Sequence, residues 1–204
     1  MYTLENQEAR SVTDVTNLPF TFTTAEAEAL GFPRWRIYEE RDRGALLELS
    51  RGVWRKSSAP ETAHLDLLAV ARRAPHGAIC LLSALAFWNL TDEIPEEVHL
   101  AVPRDSTRPR ISYPPTRVHV FDAATFELGI QQPELASGER IRIYGPARSV
   151  VDALRLRNQL GRDLAFAAAR RLLGRERAAG RILELSRRLR CETPVGEALE
   201  ILQA

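Results

Sequence analysis

An α+β fold follows from three features of the chain. Residues 21–56 read as helix, short turn, helix and β-hairpin. Residues 97–144 alternate apolar and polar positions with a period of two, and residues from 146 onward return to helical spacing broken by glycine. The 204 residues, 45% of them hydrophobic, suffice for one or two small domains with real cores. The Ser57-Ser58 and Pro60 stretch reads as a linker, so we expect an N-terminal unit of residues 1–57 and a C-terminal unit of residues 58–204.

The first 20 residues are polar and end near Pro19; a short helix or a partly ordered arm is expected there. Next, Thr23 or Thr24 is suited to cap a helix, and Glu26 or Glu28 to close a capping box. Ala25, Ala27, Ala29 and Leu30 continue that helix and Gly31 stops it. Pro33 is placed to open a second helix at its first turn, running through Trp35, Ile37, Tyr38 and Arg41 to about Arg43, with Gly44 as its end. Leu46, Leu47 and Leu49, a Ser50-Arg51-Gly52 turn, then Val53 and Trp54 make two strands around a tight turn.

That order is the order of a winged helix-turn-helix, in which the second helix enters the DNA major groove and the hairpin touches the backbone. On this reading Arg34, Trp35, Arg36, Tyr38 and Arg41 belong to the recognition helix, with Thr23 and Thr24 at the start of the preceding one. Arg51 stands at the wing tip, and Arg55 and Lys56 follow on its second strand. The alternative is a helix–hairpin unit used only for packing or protein contact. Through residue 60, eight basic side chains face nine acidic ones, a net charge of −1, so one copy should hold DNA weakly at physiological salt. Affinity then calls for two copies on paired half-sites or help from the rest of the chain.

Beyond the linker, Pro60-Glu61 is expected to open a helix through Ala63, Leu67, Leu68 and Ala71, ending near Pro75-His76-Gly77. A core helix, apolar nearly all round and including Trp88, is expected from Ile79 to Leu90. Val98, Leu100 and Val102, then Val118 and Val120, then Ile141 and Ile143 mark strands with one buried face, so His99 and His119 should look away from the core and could pair across neighbouring strands. The loop between the first two strands, residues 103–115, carries Arg104, Arg108 and Arg110; it is a solvated connection or a contact for DNA backbone or a partner. A helix is expected over residues 146–160, another over 162–173, and two more near 181–190 and 194–203. Arg170, Arg171, Arg187 and Arg188 could give this helical array a basic surface for DNA or an acidic partner, or simply face water.

Net charge is +1, so any nucleic-acid site must be local rather than a bulk attraction. Lys56 is the only lysine; the basic charge is nearly all arginine, which makes bidentate contacts to phosphate and bases. Cys80 and Cys191 stand in no metal-ligand spacing and are expected as reduced thiols of a cytoplasmic protein. No basic-then-apolar leader and no membrane-length apolar run is present. No phosphate-binding glycine loop with a lysine, no nucleotidyltransferase Gly-Ser with paired aspartates, no acidic pair followed by lysine of a nuclease, and no glycine-flanked serine around Ser83 is found. His64, His76, His99 and His119 are scattered. Neither catalysis nor a cofactor or metal is expected.

Several segments together carry a family resemblance. They are Phe22-Thr23-Thr24-Ala25-Glu26-Ala27 with Gly31 and Arg36-Ile37-Tyr38; Leu49-Ser50-Arg51-Gly52-Val53-Trp54-Arg55; Leu82-Ser83-Ala84-Leu85-Ala86 with Leu90-Thr91-Asp92; Val98-His99-Leu100-Ala101-Val102-Pro103; Arg117-Val118-His119-Val120; and Gly145-Pro146-Ala147-Arg148-Ser149-Val150-Val151-Asp152. In this order the chain resembles the AbiEi antitoxins of type IV toxin–antitoxin systems. Gly145 and Ser50 stand where that family often has aspartate and glycine. The resemblance implies a winged helix that represses its own operon at promoter repeats, and a C-terminal domain that contributes to repression and counters an AbiEii-type nucleotidyltransferase toxin, directly or indirectly. A monomer or weak homodimer on double-stranded DNA, away from membranes, is expected. The alternative is a non-catalytic protein-interaction module or an orphan regulator without a toxin.

Overall fold

The computed structural model describes residues 14–175 and 178–203. The expectation for residues 1–13, and Arg177 of the basic C-terminal run, lie outside them. The architecture is α+β: two sheets joined by one helix, with a helical array closing the chain.

Thr23 caps α1 (Thr24–Ala29) with both arms of a capping box: its hydroxyl accepts the Glu26 N–H at 3.2 Å, and the Glu26 carboxylate accepts the Thr23 N–H at 2.6 Å. Pro33 stands just outside α2 (Arg34–Asp42) as its N-cap, one place earlier than its expected position inside the first turn. β2 (Leu46–Ser50) and β3 (Val53–Lys56) form the hairpin, and Gly52 at its tip takes φ +73°, a left-handed conformation that glycine adopts without strain.

A strand that the sequence reading lacks changes the meaning of that hairpin. β1 (Thr21–Thr23) pairs with the outer edge of β3, so β3 is the middle strand of a three-stranded sheet and all four of its residues are buried. Alternation sends Phe22, Leu46 and Trp54 to one face, where they pack with Ala27, Phe32 and Ile37 of the helical layer. Each large side chain buried there contributes about 2 kcal/mol. The other face carries the Thr21–Arg55 pair toward the C-terminal part of the chain.

α3 (Leu65–Arg73) lies between the two sheets, touching β1, β2 and β3 on one side and the second sheet on the other. It begins later than expected because residues 57–64 are engaged elsewhere: Arg55 holds the Pro60 carbonyl at 2.6 Å, and the Thr62 hydroxyl accepts the His64 N–H. The expected helix from Ile79 begins instead with a strand. β4 (Ala78–Ile79) is the centre of the second sheet, since Ile79 donates to Arg142 and Cys80 to His99. Leu81, at φ +46°, turns the chain into α4 (Leu81–Phe87).

β5 (Val98–Pro103), β6 (Thr116–Phe121), β7 (Ile130–Gln131) and β8 (Ile143–Tyr144) complete a mixed sheet of order β6-β5-β4-β8-β7. β7 was not anticipated, and the expected helix over 146–160 divides into α5 (Pro146–Arg155) and α6 (Arg157–Leu160). α7 (Arg162–Leu173), α8 (Ala178–Arg188) and α9 (Glu192–Gln203) pack around α5.

α5 is buried along most of its length and carries an internal ion pair. Arg148 Nε donates to Asp152 at 2.9 Å, one helical turn away, and Arg155 stands 2.9 Å from the other Asp152 oxygen. Arg148 also donates to the carbonyls of Thr125 and Leu128 and lies 4.4 Å from the Tyr144 ring centre. Burial raises the Asp152 carboxyl above the usual carboxylate range, against the pull of the two guanidiniums. Among the described residues, no helix is long and apolar enough to cross a membrane.

Arg55 ties the first sheet to the turn that precedes β8. Its guanidinium donates to Thr21 Oγ1 at 2.7 Å and to Glu139 Oε2 at 2.5 Å, with both ion-pair side chains under 10% exposed. The other Glu139 oxygen is buried without a partner, so its charge rests on Arg55 alone. Arg55→Met is therefore expected to lower the unfolding free energy by about 3 kcal/mol or more. Adding Glu139→Gln should recover part of the loss, both read by urea denaturation.

Candidate nucleic-acid interface

The N-terminal end of α2, the tip of the β2–β3 hairpin, the start of α1 and the loop between β5 and β6 enclose an open groove of about 1100 Å³. Four arginines from four different segments line it: Arg34 on α2, Arg51 on the hairpin tip, Arg73 at the end of α3 and Arg110 on the loop. None of the four has an ion-pair partner among the described residues. Two carboxylates, Glu28 and Glu48, also line the groove, and Glu48 is turned onto the Gly52 N–H at 3.0 Å. The excess of guanidinium in an open concavity is a field that an anionic chain would neutralise.

The walls are held by hydrogen bonds. Thr24 Oγ1 accepts from Trp54 Nε1 at 2.9 Å, and the Thr24 N–H donates to the Gly52 carbonyl at 2.9 Å, so the start of α1 and the hairpin tip move as one. Ser50 Oγ donates to the Tyr113 carbonyl at 2.6 Å and Arg73 donates to the Arg110 carbonyl at 3.3 Å. The loop over 103–115 is thus tethered to both the hairpin and α3.

The expected DNA-contacting residues divide. Thr23, Thr24, Arg34, Tyr38 and Arg51 are brought together in the groove. Arg34 rests on Tyr38, with Nη2 3.3 Å from the phenol oxygen. Arg41 lies over the same ring, 5.1 Å from its centre, and pairs with Asp42 at 2.7 Å. Arg36 departs from the groove: two residues on from Arg34, it lies about 160° away around the helix, with its guanidinium over the Phe32 ring.

Arg55 and Lys56 are corrections. Because β1 makes β3 an interior strand, both side chains are enclosed: Arg55 on Glu139, and Lys56 with Nζ donating to the Thr16 carbonyl at 2.7 Å. Burial lowers the Lys56 ammonium below its ordinary value despite Asp14 nearby.

Of the loop arginines, Arg110 lines the groove, while Arg104 and Arg108 are exposed outside its lining. The C-terminal arginines do not join it. Arg170 and Arg187 are exposed, Arg171 is paired with Asp92, and Arg188 stands 3.9 Å from Glu184 beside a separate cavity of about 490 Å³. Arg73 and Ser50 were missed as groove residues. The run Arg72-Arg73 at a helix end was the available signal for the first.

His99 and His119 do pair across β5 and β6, Nδ1 to Nε2 at 3.2 Å with rings stacked 5.1 Å apart. His99 is buried rather than turned away from the core, because β5 is covered on both faces. Burial, with His119 and Arg117 nearby, pushes His99 down to about 4, and burial lowers His119 as well. Cys80 and Cys191 are free and buried, and burial pushes the Cys80 thiol well up. Among the described residues, no three His, Cys, Asp or Glu side chains converge to hold a metal ion.

No family model matches the chain, and no curated protein matches it. Its fold is similar to that in the crystal structure of the RV2827C protein from Mycobacterium tuberculosis. The likeness covers 91% of this chain and 77% of that one, with a TM-score of 0.50 and 17% identity. At that identity the likeness is one of fold.

The histidine pair makes stability depend on pH. The unfolded chain binds protons on histidine below about 6.5, whereas the folded His99 resists until about 4. Stability is therefore full above 6.5 and declines toward 4, at a limiting slope of about 1.4 kcal/mol per pH unit for this group. The urea midpoint should fall between pH 7 and pH 5, and fall less in His99→Asn.

Proposed function

We propose that the protein is a DNA-binding regulator built on an N-terminal winged helix-turn-helix, with α2 as recognition helix and the β2–β3 hairpin as wing. The observation that carries this reading is the groove in which Arg34 of the helix and Arg51 of the hairpin tip share one open, unpaired basic surface. A helix and a hairpin side by side, arginines outward, is the arrangement that places base-edge and phosphate contacts on one duplex. Arg73 and Arg110 extend the surface beyond the N-terminal unit. They supply the extra phosphate contacts that a unit of net charge −1 lacks.

The resemblance to AbiEi antitoxins specifies the biological setting. The chain represses its own operon at promoter repeats and counters a cognate nucleotidyltransferase toxin, by contact or indirectly, in the cytoplasm. The C-terminal part, including the arginines outside the groove, is the candidate for that second task. No catalytic step is assigned to the protein.

Duplex DNA from upstream of the gene should shift in a gel with the wild-type protein at low salt. The double variant Arg34→Ala/Arg51→Ala should bind at least tenfold more weakly, and the slope of log affinity against log salt should lessen by roughly 2. Unchanged binding by the double variant overturns the assignment of the groove. For the antitoxin role, co-expression with a nucleotidyltransferase encoded beside the gene should restore growth that the toxin alone arrests. Growth arrest that persists overturns it.

A further inference from the structure

Among the described residues, Trp35 is more exposed than any other tryptophan, tyrosine or phenylalanine. It is 66% exposed, whereas Trp54 is 1% exposed and Trp88 donates its indole N–H to the Tyr144 carbonyl. Among the described residues, no hydrogen bond, ring contact or cation contact involves the Trp35 side chain. The guanidiniums of the two arginines flanking it lie by other rings, Arg34 by Tyr38 and Arg36 over Phe32.

Its position on α2 is also specific. Ile37 is the one fully buried residue of that helix. Trp35 precedes it by two, which places it about 160° around the axis, on the crest pointing directly away from the core. It sits in the first turn, beside the Arg34 that lines the groove. On a helix that enters a major groove, the first-turn crest is the part that reaches furthest toward the base edges.

From this placement we infer that Trp35 reads thymine. The inference rests on the DNA-binding assignment above. An indole offers an apolar body with one donor at its edge. Thymine is the base whose major-groove edge sets a methyl group beside an acceptor oxygen. The cationic groove supplies grip, and Trp35 supplies an apolar discrimination that arginine cannot make.

The test uses duplexes enriched by the full-length wild-type protein from a random pool. Each thymine of the preferred site is replaced in turn by uracil, which pairs identically but lacks the methyl group. At one or two positions the replacement should weaken wild-type binding about fivefold, the worth of one buried methyl. In Trp35→Ala the same replacement should have no further effect. That variant removes no charge and should keep the wild-type salt slope, and its unfolding midpoint should match the wild type. A uracil penalty that persists in Trp35→Ala, or no penalty at any position, overturns the inference while leaving the DNA reading intact. A change of oligomeric state in Trp35→Ala with unaltered site preference also overturns it, by making the indole a subunit contact. A wild-type protein that enriches no sequence and retains no duplex overturns both.

Discussion

Arg55 and Glu139, 84 positions apart, meet inside the molecule and tie the three-stranded sheet to the rest of the chain behind the groove. One wall belongs to the three-stranded sheet and its helices; the opposing wall belongs to a loop of the second sheet. The bond from Ser50 to Tyr113 links the two walls directly, and helix α3 packs against both sheets beside them. A charge pair of this kind adds little net stability compared with apolar packing, yet it is intolerant of losing one member. Arg55 satisfies Thr21, Glu139 and the Pro60 carbonyl at once, so one side chain holds β1, the turn before β8 and the segment after β3 together.

A second buried pair does the same for the helical half. Arg148 and Asp152 lie one turn apart on α5 and are closed over by Tyr144, Phe121 and Arg155. Gly129 is compulsory at this point, since a Cβ there would stand 2.7 Å from the Arg148 Cβ, and its own φ of +78° disfavours any side chain. The Gly-Pro-Ala-Arg-Ser-Val-Val-Asp segment that carries much of the family resemblance is therefore internal framework in this fold. It anchors α5 to the second sheet and contributes no charge to the surface.

What the sequence disclosed, and what it concealed, follows from the range of the forces involved. The α1 cap was legible because Thr23 and Glu26 act over three residues, and the left-handed turn at Gly52 because it is local to one. The two short strands β1 and β4 were not legible: three and two residues offer too little alternation to detect, and partners far along the chain stabilise them. That single blind spot explains the misplacing of Arg55 and Lys56, since a hairpin strand with a free edge would have left them in solvent. Arg34 and Arg36 were grouped by proximity in sequence, whereas helix geometry separates them. The joining of Arg73 and Arg110 to the groove depends on tertiary folding across 37 positions.

The enclosure of Lys56 has a chemical corollary. No other lysine exists in the chain, and this one is 7% exposed with its ammonium on a backbone carbonyl. Acetyl transfer, ubiquitin attachment and amine-directed labels thus find no accessible lysine on the folded described surface. Acylation at position 56 becomes a reporter of opening between the middle strand and the segment around Thr16, before any tag can be written there.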